Sequence, residues 1–98
     1  MKDLKFGPLC DVYGPLLTEK QRELVALYYD DDLTLSEIAE NAGITRQAVR
    51  DALTRTEAAL ESYEERLGLL RKMQALRRLA RELPEQQAAE LNAILDEA

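Results

Sequence analysis

Ninety-eight residues suffice for one hydrophobic core, or for one compact unit with a helical extension, and leave little room for a separate catalytic cleft. The 13 Lys and Arg against 19 Asp and Glu give a formal charge of −6, which repels phosphate at long range and argues against strong non-specific nucleic-acid binding. Histidine is absent and cysteine occurs once, at Cys10, which excludes the usual general base, the Ser/His and Cys/His nucleophile pairs, the commonest zinc ligand and an internal disulfide.

No apolar run approaches the roughly 20 residues of a membrane span, and MKDLKFGPL lacks the apolar stretch of a signal peptide. The expectation is a cytoplasmic protein without membrane insertion, cofactor, metal or small-molecule substrate, and not an enzyme. A first short helix, about Pro8 to Tyr13, carries Phe6, Leu9, Cys10 and Tyr13 for packing on the core, and Gly14-Pro15 ends it. Thr18-Glu19-Lys20-Gln21 has capping-box form and starts a helix reaching about Tyr29, with Leu24, Leu27 and Tyr28 as its buried stripe. Asp30-Asp31-Asp32 then reads as a solvated turn, because consecutive carboxylates in a short turn do not converge on one ion.

Thr34-Leu35-Ser36-Glu37 is a second capping box, with Leu33 placed to staple onto Ile38, and its helix runs only to Asn41 or Ala42. Gly43 supplies a left-handed turn, Ile44 follows as an apolar anchor stapling onto Val49, and Thr45 caps the next helix. Small Ala39, with Ala48, Val49 and Leu53 facing inward, completes a helix-turn-helix over about 34–57. The following helix does not stop there. Leu53, Leu60 and Leu67 recur every seven residues, and Thr56, Tyr63 and Leu70 are offset by three. Leu53, Leu60, Tyr63 and Leu67 therefore form a seam that either folds back on the N-terminal helices or serves partly as a homodimer interface.

Gly68 interrupts this long third helix. Beyond it Leu69, Met73, Leu76, Ala80 and Leu83 make a new stripe, beside the only basic cluster, Arg71, Lys72, Arg77, Arg78 and Arg81. Pro84 fits the first turn of a last helix, Glu85 to Glu97, with Ala88, Leu91, Ile94 and Leu95 on one side. The expected architecture is all-α: a helix-turn-helix bundle, winged-helix-like or sigma-region-4-like, over 1–68, and a C-terminal helical hairpin over 69–98.

In a DNA-reading helix-turn-helix, the start of the second helix meets base edges in the major groove. Here Thr45, Arg46, Gln47, Arg50, Thr54 and Arg55 occupy those positions together with Asp51. Arg can bind guanine and Gln adenine bidentately, whereas Glu37, Glu40, Glu57, Glu61, Glu64 and Glu65 surround the motif, and Asp51 stands at i, i+4 spacing before Arg55. The basic cluster 71–81 offers backbone or partner contacts, an RNA backbone included.

The run LLTEKQRELVALYYDDDLTLSEIAENAGITRQAVRDALTRTE, continued by LESYEERLGL, resembles the YlxM family, small bacterial helix-turn-helix proteins encoded beside the signal recognition particle GTPase; it covers Leu16 to Leu69, and YGPLLTEKQ, LYYDDDLTLSEIAE and TRQAV are its most specific parts. It is more distantly similar to promoter-reading region 4 of sigma factors. The resemblance implies an all-α fold, a groove-reading helix at Thr45 to Arg55, and a regulatory or accessory role in the signal recognition particle pathway. The leading expectation is a DNA-binding regulatory protein. The alternative is a non-DNA-binding adaptor that docks on the signal recognition particle GTPase or its RNA.

Overall fold

A computed structural model describes residues 2–97, and among these there are helices and no strands, so no β-wing flanks the motif. The chain divides into two compact units, Met1–Leu67 and Gly68–Ala98.

In the first unit α1 spans Phe6–Tyr13 and continues into a 3₁₀ turn, Gly14–Leu16. It begins two residues before the expected Pro8. A helix leaves its first N–H groups unbonded, so a proline in the first turn costs nothing and does not mark the start. The helix α2, Glu19–Val25, opens on the expected capping box: Gln21 N–H donates to Thr18 Oγ1 at 3.1 Å and Thr18 N–H to Gln21 Oε1 at 3.0 Å. It widens into a π-turn, Ala26–Asp30. The extra residue in that turn rotates the side chains out of 3.6-residue register. Val25 is the buried residue here, and the expected stripe of Leu24, Leu27 and Tyr28 is only half-buried. The three aspartates that follow are exposed, with Asp32 in the left-handed region at φ 56°.

The helix α3, Leu35–Ala42, starts on the second capping box, Thr34 with Glu37, at 3.0 and 3.1 Å. Gly43, at φ 70°, ends it. Gly43 N–H donates to Glu40 C=O at 3.4 Å and Ile44 N–H to Ala39 C=O at 3.1 Å, the two bonds of a Schellman cap. Ile44 itself is 51% exposed, and Ala48 is exposed as well, so neither lies in the interior as expected. The turn geometry here comes from the glycine and its backbone bonds, not from an apolar anchor.

The helix α4 runs unbroken over Arg46–Leu67. It packs against α1, α2 and α3 and buries Val49, Leu53, Thr56 and Leu60, with Thr56 Oγ1 donating to Ala52 C=O at 2.9 Å. Around this stripe close Phe6, Leu9, Tyr13, Leu17, Val25, Leu35, Ile38 and Ala39. The seven-residue seam is thus taken up within the chain at Leu53 and Leu60, which are 6% and 0% exposed. It does not stay in the core: Tyr63 is half-buried, its ring tilted by 41° against that of Tyr13 with centroids 5.8 Å apart, and Leu67 is 46% exposed. A straight helix drifts by about 20° per heptad, so a seven-residue repeat leaves the buried face after two of them. Leu53 and Leu60 are therefore core residues and are not open to a second copy.

The second unit is a helical hairpin, α5 over Leu69–Ala80 and α6 over Glu85–Leu95, preceded by Gly68 at φ 62°. Arg77 ties the two helices, donating to Asp96 Oδ1 at 2.7 Å and Asn92 Oδ1 at 3.4 Å. Pro84 is the N-cap rather than part of the first turn, and α6 ends two residues short of the expected Glu97. Of the expected stripe only Ala80 is buried; Leu69, Leu76 and Leu83 remain 41–43% exposed and Ile94 is 64% exposed. Two helices joined by a short turn have only one face each to offer the other.

Replacing Leu60 by Ala should cost about 2–5 kcal/mol of unfolding free energy by urea denaturation. Gly43→Ala should cost about 1–2 kcal/mol, because it forces a Cβ into the left-handed region, and should leave the helical circular-dichroism signal unchanged.

Candidate nucleic-acid interface

Burial of Val49, Leu53, Thr56 and Leu60 fixes the rotation of α4, and with it the direction of every other side chain on the helix. At about 100° per residue, Gln47, Asp51 and Thr54 fall opposite the buried stripe. Arg46 and Arg50 flank them on one side and Arg55 on the other. Thr45 Oγ1 accepts from Ala48 N–H at 3.0 Å, so this residue is the N-cap of α4 and positions its first turn. All of the expected reading residues, Thr45, Arg46, Gln47, Arg50, Thr54 and Arg55, are exposed.

They do not form a single cluster. Arg46 and Arg50 line a shallow open cleft with Leu4, Tyr28, Thr34 and Leu35, and Arg50 reaches the adjoining cleft that Thr54 shares with Tyr29 and Glu57. Arg55 lies on the other flank, in a groove with Lys20, Gln21 and Ala52. Two basic edges therefore border a centre that carries the Asp51 carboxylate. In that centre Gln47 Nε2 donates to Asp51 Oδ1 at 2.9 Å. The i, i+4 spacing of Asp51 and Arg55 suggests a pair, but Asp51 is instead bound one turn in the other direction. Among the described residues Arg46, Arg50 and Arg55 make no ion pair or side-chain hydrogen bond, which leaves three guanidinium groups available to an incoming anion.

Several carboxylates near the motif are, by contrast, committed as acceptors. Tyr29 donates its hydroxyl to Glu57, and Tyr13 donates to Glu64 Oε1 at 2.6 Å. Burial, then the bond to Glu57, pushes the Tyr29 hydroxyl well above its ordinary range, so it remains a donor at any physiological pH. Glu37 is held below the usual carboxylate range, chiefly by the backbone N–H of Thr34 and then by the Thr34 side chain. That carboxylate already sits on the N-terminus of α3 and makes this end of the cleft unfavourable for a phosphate.

Lys2 is a participant that no sequence pattern indicates. Its ammonium donates to Tyr28 C=O, to Asp32 Oδ1 at 2.9 Å and to Leu33 C=O at 2.9 Å, and lies 4.1 Å from the centre of the Tyr28 ring. With all three donors used, it clamps the N-terminal arm to the aspartate turn and is not a free cation for phosphate. The partners lie 26–31 residues away in sequence, beyond any local signal. In the second unit Arg77 is likewise engaged, by Asp96, which removes one member of the expected basic contact set; Arg78 and Arg81 are exposed. Among the described residues no three His, Cys, Asp or Glu side chains are grouped to hold a metal ion, and no helix is long and apolar enough to cross a membrane.

The sequence model of the UPF0122 family, described as "Putative helix-turn-helix protein, YlxM / p13 like", matches residues 1–97. A UPF0122 protein of Symbiobacterium thermophilum is 50% identical over 86 residues, covering 87% of this chain and 80% of that protein. UPF0122 proteins of Geobacillus kaustophilus and Bacillus cereus are each 52% identical over 82 residues, covering 84% of this chain and 74% of theirs.

Cys10, half-buried on α1, has its thiol pushed up to about 11, first by burial and then by the charges of Asp11, Asp30 and Glu57. At pH 8 a thiol-disulfide reagent should therefore react about 100-fold more slowly with the folded protein than with the urea-unfolded chain. Because the folded pKa is raised, the stability this thiol contributes is present below pH 9 and is lost as pH rises through about 11.

Proposed function

We propose that this chain, which belongs to the UPF0122 family of YlxM / p13-like helix-turn-helix proteins, binds duplex DNA through the exposed face of α4 and acts as a regulatory protein. The observation that carries this reading is the set of three unpaired arginines, Arg46, Arg50 and Arg55, bordering Gln47 at the start of the second helix of the motif. Arg46 and Arg55, on opposite flanks, suit the two phosphate walls of a groove, while Arg50 and Gln47 face the base edges. The bond to Asp51 orients the Gln47 amide and leaves its oxygen and one N–H for an adenine edge.

Residues 1–67 hold eight Lys and Arg against fourteen Asp and Glu, the whole net charge of the chain. DNA affinity must then come from contacts at the site and not from a long-range field. The same charge favours a second reading, an adaptor whose acidic surface meets a basic protein partner. Within the signal recognition particle pathway that partner would be the GTPase, with the particle RNA as the nucleic-acid alternative.

Fluorescence anisotropy of labelled duplex DNA, titrated at about 50 and 200 mM salt, distinguishes them. The two phosphate-neutralising arginines, Arg46 and Arg55, predict an affinity falling roughly 12-fold across that range. Arg50→Ala should weaken binding about 5- to 150-fold, as expected for loss of one bidentate base contact, without lowering the melting temperature. Absence of binding to duplex DNA, with salt-sensitive binding to the particle's GTPase, would replace the first reading by the second.

A further inference from the structure

The hairpin Gly68–Ala98 carries a surface that the α4 interface does not use. Helices of 12 and 11 residues are marginal alone, and among the described residues of this unit Ala80 is the only buried apolar side chain. In the folded chain Leu69, Leu76, Leu79, Leu83 and Ile94 are still 43%, 41%, 58%, 42% and 64% exposed. Arg77, bound to Asp96 and Asn92, marks the side of α5 that faces α6. At about 100° per residue, Leu69 and Leu76 lie roughly a quarter-turn away from it, on the side that also carries the buried Ala80, with Leu79 further round the helix and Leu83 following in the turn after α5. Four leucines left 41–58% exposed on and just after one helix form the kind of apolar surface that marks an interaction site.

The charges around this surface indicate what covers it. All five basic residues of the unit, Arg71, Lys72, Arg77, Arg78 and Arg81, fall on α5 or the residue after it, and all five acidic residues, Glu82, Glu85, Glu90, Asp96 and Glu97, come later. The hairpin is electrically neutral but divided, one helix basic and the other acidic. A two-fold axis that lays α5 of one copy on α6 of another matches opposite charges twice over, and an isologous interface requires just such a self-complementary patch. Arg78, Arg81, Glu85 and Glu90 have no ion pair among the described residues and remain available for it.

We propose that these leucines form a self-association surface, covered by the hairpin of a second copy of this chain to form a four-helix arrangement with α5 against α6 of the partner subunit. The surface is independent of DNA binding. Sedimentation equilibrium of the full chain from about 1 to 100 µM should give a dimer, and Leu76→Glu with Leu79→Glu should give a monomer of unchanged helical content. The charge-reversed variants Arg78→Glu/Arg81→Glu and Glu85→Lys/Glu90→Lys should each self-associate at least 10-fold more weakly, and an equimolar mixture of the two should recover association as a heterodimer. A wild-type monomer at the highest concentration, a dimer untouched by the leucine substitutions, or a mixture no stronger than its components would each overturn the assignment.

Discussion

The buried stripe Val49, Leu53, Thr56 and Leu60 on α4 is the constraint on which the first unit depends. The same helix is the spine of the core and the carrier of the exposed face that bears Arg46, Gln47, Arg50 and Arg55. An α-helix holds its side chains at fixed angles, so packing one face against α1, α2 and α3 aims the opposite face as well. Thr56 makes this possible without an unsatisfied polar group, because its hydroxyl returns to the Ala52 carbonyl and the helix interior stays closed.

Electrostatics around that helix are decided locally. A formal charge of −6 suggests a chain that avoids nucleic acid. Yet Glu57, Glu64, Asp32 and Asp51 are each tied to a neighbouring donor, while Arg46, Arg50 and Arg55 are not paired with any of them. The acidic groups hold the scaffold together through Tyr29, Tyr13, Lys2 and Gln47, and the cations point outward. Net charge and the charge of the exposed α4 surface are thus different quantities here, and Coulomb interactions at contact distance outweigh those screened over a Debye length of about 8 Å.

The two units use their apolar residues differently. In the first, eight apolar residues from α1, α2, α3 and the stretch at Leu17 close around α4, whereas the second leaves most of its leucines in contact with solvent. The family match extends through residue 97, so the hairpin belongs to the family along with the motif, beyond the Leu16 to Leu69 stretch whose motifs are most specific.

The local signals in the sequence determined the helices, both capping boxes, the left-handed turns at Gly43 and Gly68 and the N-cap at Thr45, because each rests on bonds spanning no more than five residues. They also placed Arg46, Gln47, Arg50, Thr54 and Arg55 on the exposed face of one helix, since that follows from the 3.6-residue period alone. Tertiary structure decided the rest. Whether the Leu53–Leu60–Leu67 repeat faces a second copy or its own chain depends on which distant segments reach it, and Phe6, Leu9 and Tyr13 do so only after the chain folds back. The burial of Val25 in place of Leu24 and Leu27, the Lys2 clamp and the partners of Glu57 and Glu64 are likewise set by contacts between residues far apart in sequence. Such contacts form when burial outweighs the entropy of closing a long loop, a balance that no local pattern records.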